Sequence, residues 1–145
     1  MYEVKNVKEF EGNEGIGFNC SLYKDGVKIA HVRDDAFGGQ YDFDFNDQSE
    51  EVELDAFCAK LPKNINPYDK TWYPVDADQY VGKLVSDFVH NRKMKRICKT
   101  KTVVVHDDLK EGEYIVYSCP YDEKMIAFIN KKYAGKNPQF INEQV

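Results

Sequence analysis

The hydrophobic period of this chain changes sharply at Asp47, and that change constrains the fold more than any motif does. Before it, apolar side chains tend to fall at every second position. After it, Leu54, Phe57, Cys58 and Leu61 recur at i, i+3, i+4 and i+7. A period of two marks a strand with one buried face, and the wider spacing marks a helix with a buried stripe. Residues 2–10, 17–23, 27–32 and 40–45 therefore read as four strands of an antiparallel meander with one apolar face. The second strand carries Phe18, Cys20 and Leu22 on one side. In the third, Val27, Ile29 and His31 alternate with Lys28, Ala30 and Val32. The fourth sets Tyr41, Phe43 and Phe45 against Asp42 and Asp44. Asp25-Gly26 links the second to the third, because the pair supplies the positive φ angles of a two-residue hairpin.

Asp47-Gln-Ser-Glu50 has the spacing of a capping box that opens the first helix, which ends before Pro62. Residues 62–76 hold Pro62, Pro67 and Pro74 among Tyr68, Trp72 and Tyr73, which predicts an ordered loop with its rings out of water. A second helix starts near Asp76 or Asp78, with Val81, Leu84, Val85 and Phe88 as its stripe. The basic run 91–99 continues or closes it. Thr102 to Val105 is a β-branched strand, and residues 113–118 pair back on it as a hairpin. Pro120 and Asp122 open a third helix anchored by Met125, Ile126, Phe128, Ile129 and Tyr133 and stopped by Gly135. The tail, 136–145, is polar apart from Phe140 and Ile141. At 145 residues with no linker, the expectation is one α+β domain over 1–145: meander, two helices, β-hairpin and C-terminal helix.

Composition narrows the function classes. With 42% apolar and 14% aromatic residues the chain can build a core. It has no apolar run near the ~18 residues of a membrane span and no secretory pattern at Met1–Lys5, so a cytoplasmic location without a membrane partner is expected. Cys20, Cys58, Cys98 and Cys119 stand alone, as do His31, His90 and His106. Zinc ligands come in close pairs, so free thiols, no metal and no cofactor are expected. Phosphate-loop, metalloprotease and serine-hydrolase motifs are missing, which argues against an enzyme. His90 and His106 leave a phosphodiesterase as a third-ranked alternative.

Charge is unevenly placed. Residues 1–61 carry 14 acidic and 6 basic side chains, a net of −8. Residues 83–101 carry 7 basic and 1 acidic, a net of +6. The overall −5 argues against a dedicated duplex-DNA binder, yet the local excess can hold an anion. Arg92, Arg96 and Lys99 are spaced to share a helical face, and an arginine fork suits phosphate. Phe88 beside them offers a stacking ring and Asn91 an amide that can read a base edge. Gly38-Gly39, preceded by Arg33, permits positive φ and a close backbone approach by a ligand. The competing reading is a protein-directed inhibitor or accessory protein whose acidic N-terminal half docks on a basic host protein.

The string Leu22-Tyr-Lys-Asp-Gly-Val-Lys-Ile-Ala-His-Val-Arg-Asp-Asp-Ala-Phe-Gly-Gly39 resembles the opening of small tailed-phage and prophage proteins of unknown function. The order of sheet, two helices and short C-terminal elements is similar to the Thoeris anti-defence sponge family, a likeness of fold. What this resemblance implies is a phage accessory protein, acting in the host cytoplasm as a homo-oligomer. It would sequester a cyclic nucleotide or cyclic ADP-ribose type signal without cleaving it. Phe88, Asn91, Arg92 and Arg96 would then stack on the base, read its edge and hold phosphate, with Arg33, Gly38 and Gly39 as further ligand-binding candidates.

Overall fold

Alternation without interruption would place each strand's residues strictly in or out, and the N-terminal sheet breaks that rule twice. The computed structural model describes residues 1–145. Strands β1 (Tyr2–Gly12), β2 (Gly15–Lys24), β3 (Val27–Asp34) and β4 (Asp42–Phe45) form an antiparallel sheet in that order. Between β2 and β3 the pairing jumps from Leu22–Ala30 to Tyr23–Lys28, which leaves Ile29 as an extra residue. Ile29, Ala30 and Val32 are consequently all buried, while Val27 is 66% exposed. A second shift lies between Lys5 and Lys8 of β1, where Asn6 takes φ +55°. Val4 and Val7 thus both reach the core. Phe18, Cys20 and Leu22 are buried as the alternation requires.

Helix α1 (Gln48–Ala59) starts at Asp47, whose carboxylate accepts the Ser49 N–H. Glu50 lies 3.6 Å from the Lys24 ammonium, and Glu53 contacts the same ammonium. Leu54 and Cys58 are buried. Phe57 meets Tyr2 of β1 and Tyr80 edge-on, at 5.0 and 5.2 Å between ring centres. A two-stranded hairpin of β5 (Asn64–Ile65) and β6 (Trp72–Tyr73) follows. The expected burial of its rings is corrected: Tyr68 is 95% and Trp72 65% exposed. The rings sit on a hairpin with a ladder of only two residue pairs, and both stand in solvent.

Helix α2 (Ala77–Cys98) opens with a reciprocal capping box. Asp76 Oδ1 accepts the Gln79 N–H at 2.8 Å, and Gln79 Oε1 accepts the Asp76 N–H at 3.3 Å. Val81 and Val85 are buried, with Leu84 and Phe88 half-buried. The chain divides within this helix into two compact units, Met1–Phe88 and Val89–Val145.

In the second unit, β7 (Thr102–Val105) pairs with β8 (Ile115–Tyr117) on one side and β9 (Gln139–Phe140) on the other. Helix α3 (Glu123–Lys132) is capped by Asp122, which accepts the Met125 N–H. Its Met125 and Ile129 join Val104 and Phe140 in the core, while Phe128 stays half exposed. The tail is a structural element rather than a polar end. Asn142 accepts the Val103 N–H and donates to the Lys101 carbonyl, each at 2.8 Å. Overall the fold is α+β, as read. Cys20 and Cys58 are buried, Cys98 is half-buried and Cys119 exposed, all as free thiols. No helix is long and apolar enough to cross a membrane.

Candidate functional site

Two features of the first unit lie side by side. One is a cleft of about 430 Å³ lined by Tyr41, Phe43 and Phe45 together with four carboxylates, Glu51, Asp55, Asp76 and Asp78. Each position follows from local structure. Phe43 and Phe45 sit two apart on β4, so their rings share a face and stack 5.5 Å apart. Glu51 and Asp55 lie one turn apart on α1 and so share a helix face. Asp76 caps α2, and Asp78 accepts the Tyr41 N–H at 2.8 Å in the first turn. Burial pushes the Asp78 carboxyl above the usual carboxylate range, the Tyr41 N–H pulls it back, and the negative charges of Asp76 and Asp34 add to the upward shift.

The other feature is the β5–β6 hairpin. Its turn is held by its own polar groups. Asn66 Oδ1 accepts the Tyr68 N–H, Asp69 Oδ1 accepts both the N–H and the hydroxyl of Thr71, and Asn66 N–H donates to the Thr71 carbonyl at 2.8 Å. The Thr71 bonds hold the Asp69 carboxyl below its ordinary value. Ile65 and Trp72 pair across the ladder and are 48% and 65% exposed. Gln79 connects the two features. The Oε1 that closes the capping box on Asp76 also accepts from Asn64 Nδ2 at 3.4 Å. The aromatic hairpin is thereby tied to the wall of the acidic cleft.

The residues singled out from sequence take other positions. Arg33 is exposed on β3, its guanidinium 5.5 Å from the Phe10 ring centre. Gly38 takes φ +78° against Glu14, and Gly39 stands in open space. Their loop is held by Asp34 and Asp35, which accept the N–H groups of Ala36 and Phe37, and by a 2.7 Å bond from the Glu14 N–H to the Ala36 carbonyl. Those two carboxylates are therefore turn-makers. Phe88 is half-buried on α2, and Asn91, Arg92 and Arg96 are exposed farther along it. Phe88, Arg92 and Arg96 align at i, i+4 and i+8. Lys99 lies beyond Cys98, in the turn after the helix, and so departs from the shared face expected of it. None of these seven ligand-binding candidates lines the acidic cleft.

No local sequence pattern marks the cleft. Glu51 and Asp55 are two acids one turn apart on α1, interleaved with the buried Leu54 and Cys58, so in the sequence they read as the polar border of the core stripe. Asp76 and Asp78 were legible only as helix-start residues.

No protein-family model, curated protein or solved structure matches this chain.

Proposed function

We propose that this chain is a binding protein whose first unit docks a basic protein surface. The observation that carries the reading is the pairing of an acid-walled, aromatic-lined cleft with a hydrogen-bonded hairpin that presents Trp72 and Tyr68 to solvent. A lysine or arginine of the partner enters the cleft, where carboxylates neutralise it and the aromatic lining offers cation–π contact. Trp72, Ile65 and Tyr68 supply apolar anchors of the kind that dominate interface energy. Hydrogen bonds within the turn set the backbone that carries these anchors beforehand, which lowers the entropy lost on binding. The net −8 over residues 1–61 steers a basic partner toward the site. Such a role is that of an inhibitor or accessory protein and needs no catalytic group.

The test is calorimetric titration with a helical peptide bearing lysine and arginine on one face and leucine on the other. Saturable binding that weakens at high salt and on Trp72→Ala supports the reading. Equal binding by wild type and Trp72→Ala, or by a charge-reversed peptide, overturns it.

A second reading follows from the alignment of Phe88, Arg92 and Arg96 on α2, with Asn91 beside them. In it the chain sequesters a cyclic nucleotide or cyclic ADP-ribose type ligand, as a homo-oligomer of a phage-type protein. Its test is a thermal-shift screen with those ligands. A ligand that binds only the folded state raises Tm by mass action, and the effect must vanish in an Arg92→Gln/Arg96→Gln variant.

A further inference from the structure

The second unit has a concavity of its own, independent of the docking surface above. Its volume is about 370 Å³, within the roughly 300–1,000 Å³ usual for small-molecule sites. Met94, Val105 and Ile141 line its apolar part. Met94 is almost fully buried, so this part is a fixed surface of the unit's interior. His90 of α2 and Tyr114 form ring walls, edge-on to each other with centres 6.2 Å apart. Leu109 adds to the lining.

The rim is polar and preset. It is the 110–113 turn, in which the Glu113 N–H donates to the Lys110 carbonyl at 3.0 Å. Glu113 Oε1 in return accepts the Lys110 N–H at 2.7 Å. Gly112 carries the φ of +84° that this tight path demands. Glu113 is thus clamped by one carboxylate oxygen while the other remains available. Glu111 stands beside it, so the rim holds two carboxylates against the single ammonium of Lys110.

An apolar cavity walled by aromatic rings selects a flat ring, and an acidic rim selects a cation at its edge. We infer that this pocket is a binding site for a small aromatic amine, ring inward and ammonium toward Glu111 and Glu113. A neutral ring of the same size gains only the apolar part. A ring carrying a carboxylate meets repulsion at the rim.

Tryptamine, indole and indole-3-acetate differ in this respect and serve as probes. Each is titrated into the full-length protein while backbone amide resonances are followed. Tryptamine is expected to shift the amides of His90, Leu109, Gly112 and Tyr114 saturably. It should bind roughly threefold to tenfold more tightly than indole, the range of one or two exposed ion pairs. Indole-3-acetate should not saturate. In Glu111→Gln/Glu113→Gln, which keeps an acceptor for the Lys110 N–H, tryptamine should fall to the affinity of indole. Tyr114→Ala should weaken both. Indole binding as tightly as tryptamine overturns the inference, as does tryptamine binding unchanged by the double substitution. So do tryptamine shifts confined to Trp72, Asp76 and Asp78, which would place the amine in the acidic cleft of the first unit.

Discussion

Two sets of aromatic side chains in the first unit end in different surroundings. Tyr2, Phe57 and Tyr80 come from β1, α1 and α2 and meet edge-on; Tyr2 is only 5% exposed and Tyr80 half-buried, while Phe57, expected in the buried stripe of α1, keeps an edge in water at 36%. Tyr68 and Trp72 come from one small hairpin and stand in water. The two sets have similar hydrophobicity and a different number of covering layers. Three elements converge on the first set, so its rings find partners. The second set lies on a two-residue ladder whose turn is satisfied by Asn66, Asp69 and Thr71. The lesson is a division of labour. Under the proposed docking role, the convergent set holds the fold and the exposed set meets the partner.

Substitutions test that division most sharply. Removing a convergent ring, as in Tyr2→Ala, should cost about 3–5 kcal/mol in chemical denaturation. Leu54→Ala, at a fully buried position of α1, should cost about 2–5 kcal/mol. Trp72→Ala should stay within about 0.5 kcal/mol of wild type, while weakening the basic amphipathic peptide by roughly tenfold or more. If Trp72→Ala destabilised the protein as much as Tyr2→Ala, the two sets would be one core and the division would fail.

The cleft extends the comparison to charge. Glu51 and Asp55 are like charges one helical turn apart, a mildly unfavourable pair in the free protein. Glu51→Gln/Asp55→Asn should leave stability unchanged or raise it by a few tenths of a kcal/mol. It should at the same time weaken the peptide roughly threefold to tenfold. Structural residues lose stability when changed, and binding residues hold or gain it.

A smaller effect is expected at Asp78. Its folded-state pKa lies above the ordinary 3.8 because burial disfavours the anion. The stability it lends is therefore complete below the unfolded pKa and is lost as pH rises through the folded one. Asp78→Asn keeps an acceptor for the Tyr41 N–H and removes the titration. Its Tm should exceed that of wild type by a few degrees at most near neutral pH, with the gap closing as pH falls below about 4. A gap that widened toward acid would mean that the ionised carboxylate stabilises the fold.

Much of the architecture was legible because it rests on period. The meander, α1 and α3 follow from spacing and from the caps Asp47 and Asp122. The strand bulges were not legible, since Ile29 and Asn6 look like ordinary members of their strands. Nor was β9, because two residues have no period; Phe140 is buried through its pairing with Val104 and its packing with Met125, Ile129 and Tyr121. For the site, the basic excess along α2 was plain in the sequence. The cleft was not, because Phe43, Glu51 and Asp76 are brought together only by tertiary structure.

The central claim is that Trp72 is a docking residue, and it is the only tryptophan in the chain. Its fluorescence therefore reports the claim without a label. We would titrate the protein with the basic amphipathic peptide and follow the emission maximum and quenching by acrylamide. The account predicts a saturable blue shift and protection from the quencher, both reduced by salt and by Glu51→Gln/Asp55→Asn. Peptide binding established by calorimetry with unchanged Trp72 emission and full quenching would contradict it.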